Sequence, residues 1–171
     1  MPSRREGPQA ANLSALLEGL CKADIEFIVV GGLSAVIQGA PVTTFDLDIV
    51  HRQTEENILK LLTFLKSIDA CLRRPDDKII EPTAEDFKAK GHLLLKTKYG
   101  PLDVLAFIEK AQGFEELIAN STEIDFQGYK VNVLNLETIL ELKRDSKDPR
   151  DRQRLPIYEE TLKLLRDKDT S

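Results

Sequence analysis

Apolar positions along the chain switch between helical and strand spacing, and each switch is marked by a capping or turn residue. Leu13, Leu16, Leu17 and Leu20 fall on one face and predict a helix from Asn12, its N-cap, to about Ala23, with Cys21 joining the buried face. Glu26 to Val30 and Phe45 to His51 read as strands. Ile58, Leu61, Leu62 and Leu65 predict a helix from Thr54 to about Ser67, with Thr54 and Asn57 as an imperfect capping box. A short strand is expected over Ala70 to Arg74, and an irregular segment from Pro75 to Pro82. Thr83 and Asp86 cap a short helix to Ala89, which Gly91 ends.

His92 to Lys98 and Pro101 to Phe107 predict a hairpin whose turn is Tyr99-Gly100. That turn pairs Lys98 with Pro101, Thr97 with Leu102 and Lys96 with Asp103. His92, Leu94, Lys96, Asp103 and Leu105 then share one face; Leu93, Leu95, Leu102, Val104 and Ala106 form an apolar face that should lie under helices. Gly113 to Ala119 reads as helical, and Glu123 to Phe126 pairs with Tyr129 to Leu134 across Gln127-Gly128. Asn135 opens a helix that Pro149 breaks. A last helix, about Arg150 to Arg166, buries Leu155, Tyr158, Leu162 and Leu165, with Pro156 kinking its start or moving it to Leu155.

One stretch in this pattern carries chemistry, from Ile28 to Val50. An apolar run meets Gly31 and Gly32, a short helix follows to Gly39, and Thr44, Asp46 and Asp48 lead into the next strand. Side chains alternate along a strand, so Asp46 and Asp48 point the same way, about 6.6 Å apart, within reach of one hard cation or two neighbouring ones. Mg²⁺ takes one or two protein carboxylates together with water and phosphate oxygens. The glycines leave backbone N–H groups open to an anion, and the helix beginning near Leu33 or Ser34 turns its positive end to the same place. A nucleoside triphosphate with Mg²⁺ suits both halves.

GGLSAVIQG followed by TFDLD resembles the polymerase-beta-type nucleotidyltransferase superfamily, and within it the small bacterial branches that include minimal nucleotidyltransferases and abortive-infection toxins. Gly31, Gly32, Gly39, Thr44, Asp46 and Asp48 match its pattern, and Asp103 in GPLDVL matches its third carboxylate. The resemblance implies an α/β (α+β) nucleotidyltransferase fold: a mixed twisted sheet with helices on one face, an open polar active-site face and C-terminal helices. It implies Asp46, Asp48 and Asp103 as the catalytic, metal-holding carboxylates. Gly31, Gly32, Ser34, Thr44 and Lys143 are implied to bind the nucleotide, with Lys147, Asp148 and Asp151 completing a lysine-and-aspartate pattern beside Lys143. Two departures stand out: Val42 occupies a position where many relatives carry arginine, and Ser34 one where alanine is more usual.

Composition narrows the setting. A chain of 171 residues has room for a real core, expected as one domain over residues 12–171 behind a disordered tail, residues 1–11, with a helical segment from about residue 135. Two cysteines are too few for a disulfide framework, which points to a reducing cytoplasm. No apolar stretch reads as a signal peptide or a membrane span. A net charge of −5 argues against a broad nucleic-acid footprint. The expected activity is Mg²⁺-dependent transfer of an NMP, AMP first, from an NTP to a hydroxyl of an unspecified acceptor. The alternatives are a toxin that modifies RNA or protein, and an inactive nucleotide-binding module. A homodimer or an antitoxin-like partner would complete so small a site.

Overall fold

Two apolar strips, one on each face of the central strands, organise the molecule, and helices cover both. The structure, a computed structural model, describes residues 11–89 and 91–169. The tail expected over residues 1–11 lies outside them except for Ala11.

The strands are β1 (Phe27–Val30), β2 (Leu47–His51), β3 (Cys71–Leu72), β4 (Leu93–Thr97) and β5 (Gly100–Leu105), then β6 (Phe107–Ile108), β7 (Gln112–Gly113), β8 (Ser121–Phe126) and β9 (Tyr129–Leu134). Seven of them form one sheet in the order β3-β4-β5-β2-β1-β9-β8, and β6 and β7 make a separate ribbon. β1 runs parallel to β9 and β2 parallel to β5; the other neighbours are antiparallel. The helices are α1 (Leu13–Lys22), α2 (Gly31–Ile37), α3 (Glu55–Ser67), α4 (Ala84–Lys88), α5 (Phe114–Leu117), α6 (Leu136–Lys143) and α7 (Pro149–Asp169). None is long and apolar enough to cross a membrane.

On one face Val29, Ile49, Leu95 and Leu102 pack under Leu16 and Leu20 of α1 and Leu61 and Leu65 of α3. Burying each such side chain contributes about 1.5–3 kcal/mol. On the other face Ile28, Val30 and Val50 pack against Ala35, Leu117, Ile139 and Tyr158, from α2, α5, α6 and α7. The mixed sheet matches expectation, but the polar face is open only in part. Helices roof it over β1 and β9, while Leu94 and Lys96 remain exposed on β4.

The first hairpin turns one residue earlier than expected. Thr97 pairs with Gly100, Lys96 with Pro101 and Leu94 with Asp103, so the turn is Lys98-Tyr99. The Thr97 hydroxyl closes it, donating to the Gly100 carbonyl at 2.8 Å and accepting from the Tyr99 N–H at 3.1 Å. Each pairing moves by two residues, and because side chains alternate with a period of two, every side chain keeps its expected face. The Lys96–Asp103 pairing is replaced. The second hairpin forms as expected, with Gln127 and Gly128 both at positive φ as a two-residue turn requires.

Two caps differ from the sequence reading. The Thr54 side chain accepts from the Asn57 N–H at 3.2 Å, but the Asn57 side chain does not reach back to it. Asn57 is buried and instead holds the Glu26 N–H and C=O and the Arg52 carbonyl, tying α3 to both central strands. Asn135 sits at the start of α6 with its side chain turned to the Thr122 hydroxyl. The first N–H of α6, on Leu136, is taken by Gln38 Oε1 at 2.8 Å, and Gln38 Nε2 donates to the Leu134 and Ser34 carbonyls. Gln38→Ala strips partners from three backbone groups, so it is expected to lower stability by about 1–3 kcal/mol, measured by denaturant unfolding.

α7 begins at Pro149, where the missing N–H costs nothing, and runs through Pro156 without interruption. Asp148 caps it by accepting from the Arg150 N–H at 2.8 Å. Tyr158 is buried and Leu155 and Leu162 are half-buried, as expected, but Leu165 is exposed and Thr161 takes an inner position.

Candidate active site

The parallel pairing of β2 with β5 sets Asp48 directly opposite Asp103, and the pairing of β1 with β2 sets Val30 opposite Asp48. The chain therefore turns at Gly31 just where the two carboxylates meet. Asp46 precedes β2 and points the same way, and ligand oxygens of Asp46, Asp48 and Asp103 all lie within 4.8 Å of one another. Local pattern placed each residue; the sheet order brings them together.

Asp48 is the strained member. Its Oδ1 is buried without a hydrogen-bond partner among the described residues. Burial, then the adjacent Asp103 and Asp46 carboxylates, push its pKa up to about 8, against a smaller opposing pull from Lys143. Three converging oxygen donors, one of them orphaned and crowded by like charge, fit a hard divalent cation such as Mg²⁺.

Gly31 has φ +70°, and a Cβ there would lie 2.1 Å from Asp48 Oδ2, so only glycine allows this approach. Next to it, a Cβ on Gly32 would stand 3.1 Å from Thr44 Oγ1 and 3.0 Å from Arg154 Nη1. Thr44 donates its hydroxyl to the Asp46 carbonyl at 3.3 Å, bracing the segment that carries the first carboxylate. Ser34 is fully buried and donates to the Gly31 carbonyl at 2.5 Å, so it supports the turn from within. Val42 packs against the second core cluster, and the guanidinium beside the glycine turn is Arg154's.

Lys143, the last residue of α6, is paired with Glu109 and lies 3.6 Å from Asp151. Burial lowers its pKa, but the two carboxylates more than offset this and hold it above the ordinary lysine value. Asp151 also accepts from the Ser146 hydroxyl at 2.6 Å. Lys143 thus stands in a built network on the wall of a cavity of about 420 Å³. Asp48 and Gly31 open onto this cavity, and Leu105, Phe107, Ile139 and Leu142 give it an apolar surface. Lys147 is exposed. His51 is buried edge-on to Phe87, a structural position.

Sequence reading missed Arg73. Its guanidinium donates to Asp103 Oδ1 at 2.7 Å and to the Leu95 carbonyl at 2.9 Å. The contact depends on β3 lying beside β4, with the Arg73 N–H bonded to the Leu94 carbonyl opposite Asp103. No local pattern signals it.

Among solved structures, the chain is similar to the lincosamide antibiotic adenylyltransferase LnuA with lincomycin bound, at TM-score 0.59 and 13% identity, over 88% of this chain and 98% of that one. It is similar to the antibiotic-resistance factor ANT(2'')-Ia at TM-score 0.52 and 12% identity, over 92% of this chain and 91% of that one. A putative nucleotidyltransferase from Thermotoga maritima matches at TM-score 0.50 and 16% identity, over 92% of each chain. No family model matches the chain, and no curated protein does. The chain shares the fold of these solved nucleotidyltransferases.

Proposed function

We propose that this chain transfers an NMP, AMP first, from an NTP to a hydroxyl of a small acceptor molecule, with Mg²⁺ held by Asp46, Asp48 and Asp103. The observation that carries this reading is the convergence of three carboxylates beside Gly31, with one Asp48 oxygen buried and unpartnered. Bound there, Mg²⁺ supplies charge neutralisation for the triphosphate and lowers the pKa of the attacking hydroxyl.

The protein's own groups do the rest. The Gly31-Gly32 turn gives phosphates a close approach to the backbone. The acceptor oxygen attacks the α-phosphorus in line; its bond to phosphorus forms as the bond to the bridging oxygen of the β-phosphate breaks, and pyrophosphate leaves. In this reading Asp103 takes the acceptor proton, and Arg73, which donates to Asp103 Oδ1, orients that carboxylate. The apolar cavity next to Asp48 gives room for the organic part of a substrate, and its volume is ordinary for a small-molecule site. LnuA, an antibiotic adenylyltransferase, and ANT(2'')-Ia, an antibiotic-resistance factor, support a small-molecule acceptor over RNA or protein.

Isothermal titration of each NTP with Mg²⁺ tests the site. Wild type is expected to bind at least one NTP only with metal, and the Asp46→Asn/Asp48→Asn double variant to bind none. Failure of folded wild type to bind any NTP would sink the reading.

A further inference from the structure

Arg154 belongs to α7, yet its guanidinium is found at the β1–α2 turn. Nη2 donates to the Thr43 carbonyl at 3.0 Å, across 111 residues of sequence. Nη1 stands 3.0 Å from where a Gly32 Cβ would be. α7 fixes this placement: Tyr158, one helical turn on from Arg154, is buried in the second core cluster, so the same helix face meets the turn.

The cations bordering the site differ in what they already hold. Arg73 is paired with Asp103, and Lys143 with Glu109 and Asp151. Arg154 is half-buried and, among the described residues, has the Thr43 carbonyl for a partner and no carboxylate. An unneutralised, preplaced guanidinium over a turn without side chains is suited to phosphate oxygens, which match its donor geometry. The neighbouring residue, Gly31, meets the Asp48 carboxylate, and adjacent Cα atoms are about 3.8 Å apart. A negative cluster that takes metal and a positive group that takes anion thus flank one dipeptide.

The geometry points to Arg154 as the residue that grips the terminal phosphates of the triphosphate, so that α7 supplies part of the nucleotide site. This rests on the nucleotidyltransferase reading.

The test is calorimetric titration of Mg²⁺-tripolyphosphate, which carries no nucleoside, and of the NTP that wild type binds. The variants are Arg154→Gln, Arg154→Ala and Arg154→Lys, with Arg152→Ala as an exposed control on the same helix. Arg154→Gln keeps an N–H donor for the Thr43 carbonyl but removes the charge. It is expected to weaken both ligands roughly ten- to a hundredfold while its melting temperature stays at the wild-type value. Arg154→Lys should restore part of the affinity, and Arg152→Ala should change nothing. Wild-type affinity in both Arg154→Gln and Arg154→Ala would overturn this inference and leave the nucleotidyltransferase reading standing. Absence of NTP binding by wild type would overturn both.

Discussion

Asp48→Asn is expected to abolish the proposed nucleotidyl transfer, by at least about 10³-fold, and in the same protein to raise the melting temperature measured without metal. Both effects have one origin. Asp48 is crowded by Asp103 and Asp46, and one of its oxygens is buried without a partner. Its pKa rises from 3.8 to about 8 in the folded chain, so the folded state keeps a proton that the unfolded state has released. The stability carried by that proton is fully present below about pH 4 and is lost as pH climbs through about 8. Asparagine has the shape of the protonated acid and no charge to lose. The variant's advantage should therefore grow across this window and level off above it, with about 6 kcal/mol as its ceiling and about 2–4 °C per kcal/mol for a chain of this size. Adding Mg²⁺ should reverse the order by stabilising wild type alone. Melting curves from pH 4 to 9, with and without Mg²⁺, check both halves. A variant no more stable than wild type at pH 8 without metal would refute the crowding argument.

Gly31→Ala is the second large effect, and Gly39→Ala is its control. Both glycines have positive φ, +70° and +101°, so alanine at either position strains the backbone by about 1–2 kcal/mol. At Gly39 a Cβ meets nothing within 4 Å, whereas at Gly31 it would collide with Asp48 Oδ2 at 2.1 Å. The two variants should lose similar stability from the backbone, but only Gly31→Ala should displace Asp48 and lose metal-dependent NTP binding, by about 10²-fold or more. Equal NTP affinity in the two variants would show that Gly31 serves the turn alone.

The residues legible in the sequence were those whose role is written locally. Gly31, Asp46 and Asp48 lie within one strand–turn–helix–strand stretch, and Asp103 stood out as a carboxylate on the polar face of an otherwise apolar hairpin. The turn of that hairpin was misplaced because Tyr99-Gly100 looks like a turn dipeptide, while the Thr97 hydroxyl decides for Lys98-Tyr99. The face of Asp103 survived because the shift was even. Arg73, Gln38 and Arg154 were not legible. Each acts across strands or helices distant in the chain, through contacts that exist only once the sheet order is set. The roofing of the polar face by α5, α6 and α7 escaped for the same reason.

The sheet order also bears on self-association. One outer strand, β3, has only two residues, too short to template a neighbour. The other, β8, carries exposed Glu123 and Asp125, so two copies meeting edge to edge would set these carboxylates against each other. Both rims thus disfavour the growth of a continuous intermolecular sheet.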